Sequence, residues 1–219
     1  MVNEYFELIT YGGTLNYYIF ELANFCVLAT FAMITYKLKY INVNSLIVWV
    51  GLFFVPLVLN YFLLSPFLFP DQFSYAREVM SLKSTGESTG FIRNQYDGMQ
   101  PAFLSLSMNP ITLTAKILGF APIPNYMTLT SLAFANKLAL FLLFIWSKKY
   151  FISENFLLLF FLVPSLVLYS SLSLRDNLVI ILSIIFLINV LRGNYLIAIP
   201  LLYPLFLLKI QMFVFLLLY

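Results

Sequence analysis

Long apolar runs, separated by short basic or polar turns, make up most of the chain. A helix of about 20 apolar residues is needed to cross the hydrocarbon core of a bilayer, which is about 30 Å thick. By this measure the pattern predicts six membrane spans. They cover residues 15–36, 45–69, 127–146, 156–169, 178–191 and 195–219. The predicted fold is all-α: a polytopic transmembrane helix bundle of about six spans, forming one domain over residues 1–219.

Two of these runs contain residues that interrupt helices. Pro56 is expected to bend the second span, because a proline inside a helix removes one hydrogen bond and crowds the preceding turn. The last stretch contains Pro200, Pro204 and Lys209, and it fits either one kinked span or one span plus the start of another. It ends in apolar residues without a polar tail, which is typical either of a naturally short chain or of one that continues in further helices.

Residues 70–126 differ from the spans on either side, because they are richer in glycine, serine and charge. Residues 81–100 combine turn residues with no sustained period and are predicted to be loop. Residues 101–120 are semi-apolar and bounded by prolines. The segment is therefore predicted to be one long outward loop that carries short interfacial or re-entrant helices.

Basic residues predict the orientation of the spans. Lys37 and Lys39 close the first span, Lys148 and Lys149 close the third, and Arg192 closes the fifth. If the spans alternate in direction, all three turns lie on one side, and an excess of Lys and Arg marks the cytoplasmic side. The N-terminus, the long loop and the turn before the fifth span then face outward.

The composition is typical of a membrane protein, so the lipid bilayer is a predicted partner. Of the 219 residues, 62% are hydrophobic and 10% are charged, against roughly 25% charged in an average soluble domain. The net charge of +3 includes no basic block, so no nucleic-acid partner is predicted. The only cysteine, Cys26, excludes an internal disulfide and is expected to be a small buried hydrophobe.

Histidine is absent, so any chemistry must use carboxylates, lysine, arginine, tyrosine or the backbone. One candidate cluster follows the second span, where Asp71, Tyr75, Arg77 and Glu78 stand together. Asp71 and Tyr75 would share one face of a helix. One interpretation is that Asp71 is an acidic residue in a helix first turn. The other is a carboxylate at the bilayer edge that acts as a general base or binds a divalent metal, and no cofactor is required by any motif.

A second cluster precedes the fifth span. Ser170, Ser171 and Ser173 are followed by Arg175 and Asp176. One interpretation is a short outer turn in which Arg175 and Asp176 anchor helix ends and pair with each other. The other is an anion site, because hydroxyls, backbone N–H groups and a guanidinium at a helix start suit phosphate or pyrophosphate.

Two further cations lie within apolar runs. Lys137 is near the middle of the third span, too far from either interface for its side chain to reach, so it is expected to face the bundle interior, with Glu21 as its partner. Lys209 is expected near the outer interface, close to Arg175. The outer face would then hold Asp71, Arg77, Arg175 and Lys209 together.

With these motifs the chain resembles bacterial polysaccharide polymerases of the Wzy-like and EpsG-like type, within the polytopic GT-C-type glycosyltransferases. EpsG-like proteins have an outward N-terminus, two spans joined by a basic inner turn, and an outward loop with an Asp-x-x-x-Tyr pattern, which Asp71 and Tyr75 match. They later carry a Tyr-Ser…Arg segment that opens a new span, which Tyr169, Ser170 and Arg175 match. Asp176 fills the polar position that commonly follows this arginine.

The resemblance implies an O-antigen or exopolysaccharide polymerase in the cell inner membrane, acting on a polyprenyl-(pyro)phosphate-linked glycan at the outer face. Arg175 would bind the pyrophosphate leaving group, and Asp71 would orient or deprotonate the acceptor hydroxyl. The candidate substrate-binding residues are Tyr75, Arg77, Ser170, Asp176, Lys209 and Lys137. The polymerases usually have about ten or more spans, which implies missing C-terminal spans or a partner membrane subunit.

Two other functions fit the same sequence. Lys137 and the proline-interrupted spans are compatible with a transporter or flippase subunit for a lipid-linked or amphipathic solute. In a non-catalytic membrane protein, the same charges would only anchor the topology.

Overall fold

A computed structural model describes residues 13–63, 71–84, 110–124, 128, 130–151 and 153–217. These residues form helices and turns without any strand, which confirms the all-α prediction for this part of the chain. In chain order the helices are α1 Gly13–Lys37, α2 Val43–Val58, α3 Asp71–Ser84, α4 Pro110–Gly119, α5 Ser131–Ser147, α6 Glu154–Phe161, α7 Pro164–Ser170, α8 Asp176–Leu191, α9 Tyr195–Leu208 and α10 Ile210–Leu217.

Helix α5 is the centre of the bundle, and nearly all of its side chains are buried. Trp49 of α2 lies against its aromatic rings, with centroid distances of 5.0 Å to Phe141 and 5.5 Å to Phe144. Phe161 of α6 lies 5.8 Å from the same tryptophan. Large aromatic side chains packed in this way bury much apolar surface, so this cluster fixes α2 and α6 around α5.

Among the residues that the structure describes, two helices are long and apolar enough to cross a membrane, as judged by length and composition alone: residues 19–37 and 131–150. They correspond to the first and third predicted spans. Helices α2, α8 and α9 are apolar but shorter. The six-span bundle therefore stays a prediction beyond these two helices.

The predicted fourth span is not one helix. The chain leaves α6 at Leu162, passes through an extended Val163 (φ −55°, ψ 125°), and starts α7 at Pro164. A residue before proline is pushed out of the helical region, and proline itself is well tolerated at a helix start. The sequence-based prediction of a continuous helix over 156–169 was therefore wrong.

Within the last predicted span, the helix is interrupted at Lys209 and not at either proline. Pro200 and Pro204 both lie inside α9, whereas Lys209 has extended backbone angles (φ −158°, ψ 94°) and α10 follows it. Pro56 likewise lies inside α2, and the helix widens into a π-helical turn over Leu59–Leu63. Cys26, expected to be buried, is exposed.

The segment 70–126 contains two of the described helices, α3 and α4, which pack against each other and against α5. Helix α4 lies where short helices were predicted. Helix α3 extends through Ser84, so residues 81–84 are helical and not loop. The remainder of the predicted loop, residues 85–100, lies outside the described residues.

The three basic turns lie at one end of the bundle, which we call the basic end (residues 37–42, 148–151 and 192–194). The Lys148 ammonium donates to the Tyr40 carbonyl. The Arg192 guanidinium lies 4.5 Å from the centre of the Tyr150 ring. The turn after α8 is closed by Gly193, whose positive φ of 72° is readily adopted only by glycine. This grouping agrees with the predicted alternation of the spans.

Candidate functional site

The turn before α8 is buried although it is polar. Residues Ser170, Ser171 and Ser173 have no exposed surface. Amide side chains from neighbouring helices satisfy its carbonyl groups: Asn136 donates to Leu172 (2.9 Å) and Leu174 (3.0 Å), and Asn60 donates to Ser171 (3.2 Å). Buried backbone groups need such partners, and these bonds hold the turn in one position.

The two polar clusters found in the sequence are in direct contact. The Gln72 carbonyl oxygen of α3 accepts a hydrogen bond from the Ser173 N–H at 3.0 Å. Gln72 follows Asp71, and Ser173 precedes Arg175 by two residues. This buried bond, between positions 101 residues apart, therefore brings the start of α3 against the turn before α8.

Tyr75 lies between the charges of both clusters. Its side chain is 4% exposed, and burial raises the pKa of its phenol. The positive charge of Arg175 opposes this rise, whereas the carboxylates of Asp71 and Asp176 add to it. All three charged groups thus act on the same phenol, which remains protonated at neutral pH. We call Asp71, Tyr75, Arg175, Asp176 and Lys209 the charged cluster.

Asp71 and Arg175 are the charged members of the cluster that are not paired with another described residue. Asp71 is the first residue of α3 and is exposed, which confirms its expected place in a helix first turn. Arg175 is half-exposed at the residue that precedes α8. Within the described part of the chain, neither side chain forms a hydrogen bond or an ion pair. A free guanidinium can bind an anionic oxygen, and a free carboxylate can accept a proton.

Asp176 is paired with Lys209 and not with Arg175. The Lys209 ammonium lies 2.9 Å from a carboxylate oxygen of Asp176, and both side chains are about one-third exposed. The interpretation in which Arg175 and Asp176 pair with each other was therefore wrong. Through this ion pair, the interruption between α9 and α10 places Lys209 at the start of α8, where Asp176 follows Arg175. The pairing leaves Arg175 without an ion-pair partner among the described residues.

Lys137 is buried beneath the turn, and the prediction that Glu21 is its partner was wrong. Its ammonium donates to the Ser170 hydroxyl (2.8 Å) and to the Val167 carbonyl (3.2 Å) at the end of α7. Glu21 instead accepts a hydrogen bond from the Thr130 hydroxyl. Lys137 faces the interior, as its place in the apolar run predicted, but it supports the turn from below.

The serine hydroxyls are not directed at an open anion site. Ser170 donates to the Val167 carbonyl at 3.1 Å while it accepts from Lys137. Ser171 donates to the same carbonyl at 2.5 Å. The expected cradle of hydroxyls therefore has to be corrected: Ser170 and Ser171 hold the turn, and Arg175 is left as a half-exposed cation beside it.

Arg77 and Glu78, the remaining members of the cluster predicted after the second span, have different environments in α3. Arg77 is half-buried, two residues beyond Tyr75. Glu78 is buried and accepts a hydrogen bond from the Thr112 hydroxyl at 2.7 Å, which ties α3 to α4. Glu78 is thus a structural group and not part of an exposed polar cluster at a membrane surface.

Sequence reasoning missed the amides that assemble the site. They are Asn60, Gln72, Asn136 as a donor, and Asn177, whose side chain donates to the Asn136 carbonyl at 3.2 Å. A usable signal exists, because an amide inside an apolar run is costly unless it is hydrogen-bonded. In the described part of the chain, no group of three carboxylate or thiol side chains could hold a metal ion.

No protein-family model, curated protein or solved structure matches this chain.

Proposed function

We propose that the chain is a multi-span helical membrane protein that transfers sugars from polyprenyl-(pyro)phosphate carriers at the outer face of the membrane, as polysaccharide polymerases do. The observation that carries this proposal is the meeting of the two sequence clusters through Gln72 and Ser173. It supports a joint site in which an accessible carboxylate and an accessible guanidinium flank a buried phenol.

The surface of the bundle supports a membrane location. Large apolar side chains are exposed along the described parts of α1 and α9, including Leu22 at 54%, Leu196 at 93% and Ile199 at 64%. An extensive exposed apolar surface needs lipid or a partner to cover it. The basic end fits the cytoplasmic face, since positive residues are concentrated there. The charged cluster then belongs to the outer face, where a lipid-linked sugar would present its anomeric carbon.

In the proposed reaction, the acceptor hydroxyl attacks the anomeric carbon of the donor sugar. The carbon–oxygen bond to the pyrophosphate breaks as the new glycosidic bond forms, and the pyrophosphate leaves with the bonding electrons. Asp71 takes the hydroxyl proton, and Arg175 stabilises the negative charge on the leaving group. Asp176 follows Arg175 and pairs with Lys209, and Ser170 and Lys137 position the turn. Tyr75 lies one helical turn after Asp71, whereas Arg77, two residues further on, belongs to another face of α3.

The test compares polymer formation by variants at equal membrane abundance. Asp71→Asn and Arg175→Ala should each lower polymer yield by about 100-fold or more, because each removes a charge used in the transition state. Arg192→Ala at the basic end is the matched control and should retain full yield. Wild-type yield in both site variants would refute the proposal.

A second candidate function is favoured by one observation, the complete burial of the Lys137 cation in an apolar helix. In a transporter or flippase subunit such a group contacts solute during a conformational cycle. In that case, Lys137 would react with small, membrane-impermeant, amine-reactive reagents, and the rate of this reaction would depend on the presence of solute. In the proposed glycosyltransferase it stays protected, because α7 covers it throughout.

A further inference from the structure

The basic end contains a cavity of about 380 Å³ that the proposed reaction does not use. It lies between the α1–α2 turn and the start of α6. Its lining consists of Tyr36, Lys37, Lys39, Ile41, Asn42, Lys148 and Glu154. Three lysines and one carboxylate leave an excess of two positive charges around it.

Glu154, the carboxylate in the lining, already has hydrogen-bond and ion-pair partners, so it does not neutralise the positive charge of Lys37 and Lys39. One Glu154 oxygen accepts the Asn42 N–H at 2.9 Å and the Ser45 hydroxyl, and the other lies 2.7 Å from the Lys148 ammonium. Lys37 and Lys39 have exposed side chains and form no ion pair or hydrogen bond with any residue that the structure describes. Of the three lysines in the lining, Lys37 and Lys39 are therefore available to bind an external anion, whereas Lys148 is paired with Glu154.

The backbone presents Lys39 at a position that is unusual for lysine. Its φ of 61° is left-handed, and this conformation lets the Tyr40 N–H reach the Thr35 carbonyl at 2.9 Å and close α1. Glycine or asparagine normally occupies such a position, since a left-handed conformation costs about 1 kcal/mol or more for other residues. The α1 terminus therefore holds a cation beside the cavity at an energetic cost that glycine would avoid.

The rim of the cavity suits the headgroup zone of a bilayer. Tyr36, Leu38 and Tyr40 are 41%, 62% and 57% exposed, so they surround the lysines with apolar and amphipathic surface. Tyrosine is enriched at membrane interfaces, and basic pockets between helices on the cytoplasmic side bind anionic lipid headgroups.

We infer that this cavity binds a phosphate group, supplied by the headgroup of an anionic lipid, through Lys37 and Lys39. The lipid source rests on the proposed membrane location, whereas the phosphate chemistry rests on the cavity alone. The site is separate from the charged cluster, so its occupancy should not depend on Asp71 or Arg175.

The experiment titrates the full chain in neutral detergent with phosphatidylglycerol, with phosphatidylcholine, and with inorganic phosphate at constant ionic strength. Phosphatidylglycerol should bind more tightly than phosphatidylcholine, and a Lys37→Gln/Lys39→Gln double variant should bind it about tenfold or more weakly. Lys37→Gln alone, which leaves the left-handed backbone undisturbed, should give an intermediate loss. Lys149→Gln is the matched control, because Lys149 lies at the same end against Trp146 and Tyr150 and does not line the cavity.

Each outcome decides the inference. Tight phosphatidylglycerol binding that needs Lys37 and Lys39 supports the lipid source. Inorganic phosphate binding with the same dependence, without a preference for phosphatidylglycerol, supports the phosphate site and overturns the lipid source. Absence of binding, or an equal loss in Lys149→Gln, overturns the site. If Asp71→Asn loses polymer formation but keeps lipid binding, the two proposals are independent.

Discussion

At the scale of single residues, the Lys137 ammonium is a group that is costly to bury. It has no exposed surface, and its partners among the described residues are the Ser170 hydroxyl and the Val167 carbonyl. A buried charge that loses a hydrogen-bond partner is more destabilising than the same site filled by apolar groups. Ser170 is therefore more important to the fold than its small size suggests.

The first stability prediction follows from this asymmetry. Ser170→Ala should lower the free energy of unfolding by about 1–3 kcal/mol, because Lys137 is left with one partner. Lys137→Met keeps the volume and removes the charge, so it should cost less. Thermal unfolding in detergent measures both. When Lys137→Met is already present, adding Ser170→Ala should cost little further stability. If the losses of the two single variants simply add in the double variant, the explanation is contradicted.

The same residues show what a sequence does and does not reveal about a site. Asp71, Tyr75 and Arg175 could be found because charged and aromatic residues beside apolar runs are conspicuous. Gln72 was not found, although it makes the contact that joins the two clusters. Its importance depends on Ser173, which is 101 residues away, and no local pattern encodes such a pairing. The partner of Asp176 was missed for the same reason.

At the scale of elements, the junction of α2 and α6 depends on one carboxylate. Burial raises the pKa of Glu154, but hydrogen bonds from Lys148, Ser45 and the Asn42 N–H, together with the Lys148 charge, outweigh burial and lower it below the ordinary value of 4.5. A lowered folded pKa means that ionised Glu154 stabilises the junction above the ordinary pKa. That stabilisation is lost as the pH falls from the ordinary pKa through the folded one.

The second stability prediction concerns this junction. Glu154→Gln should cost about 1 kcal/mol at neutral pH, since a charge-assisted network becomes neutral at a partly exposed site. Its melting temperature should also fall less than that of the wild type when the pH is lowered from about 5 to about 3. Asp71→Asn, which leaves Glu154 and its partners in place, should keep the acid sensitivity that this junction causes. Parallel pH profiles for Glu154→Gln and the wild type would argue against a role for this group.

Element boundaries were predictable where local chemistry decides them. Helix α1 ends at the basic turn that the sequence indicated, and α8 starts within two residues of its predicted position. The gap between α6 and α7 was missed because apolar content hid the effect of Pro164, whereas the prolines inside α9 were tolerated. Whether a helix continues or breaks at such a residue depends on its tertiary contacts. The helix ends before Lys209, whose side chain pairs with Asp176.

At the scale of the whole molecule, the two ends of the bundle differ in chemistry. The basic end gathers three lysine- and arginine-containing turns that are far apart in the sequence. The opposite end carries the charged cluster, with its accessible carboxylate Asp71. The turn at Asn194 is exposed at the basic end, so Asp71 and Asn194 report on opposite ends of the bundle.

Cysteine labelling in intact cells tests whether these ends lie on opposite sides of a membrane. In a Cys26→Ala background, Asp71→Cys should react with an impermeant maleimide from outside, because that end is proposed to face outward. Asn194→Cys should react only after the membrane is permeabilised, since the basic turns should stay in the cytoplasm. The reverse pattern would keep the membrane location but move the charged cluster to the inner face, and outer-face polymer synthesis would fail. Labelling of both positions from the same side would show that the helices between them do not cross the bilayer, so the multi-span proposal would have to be abandoned.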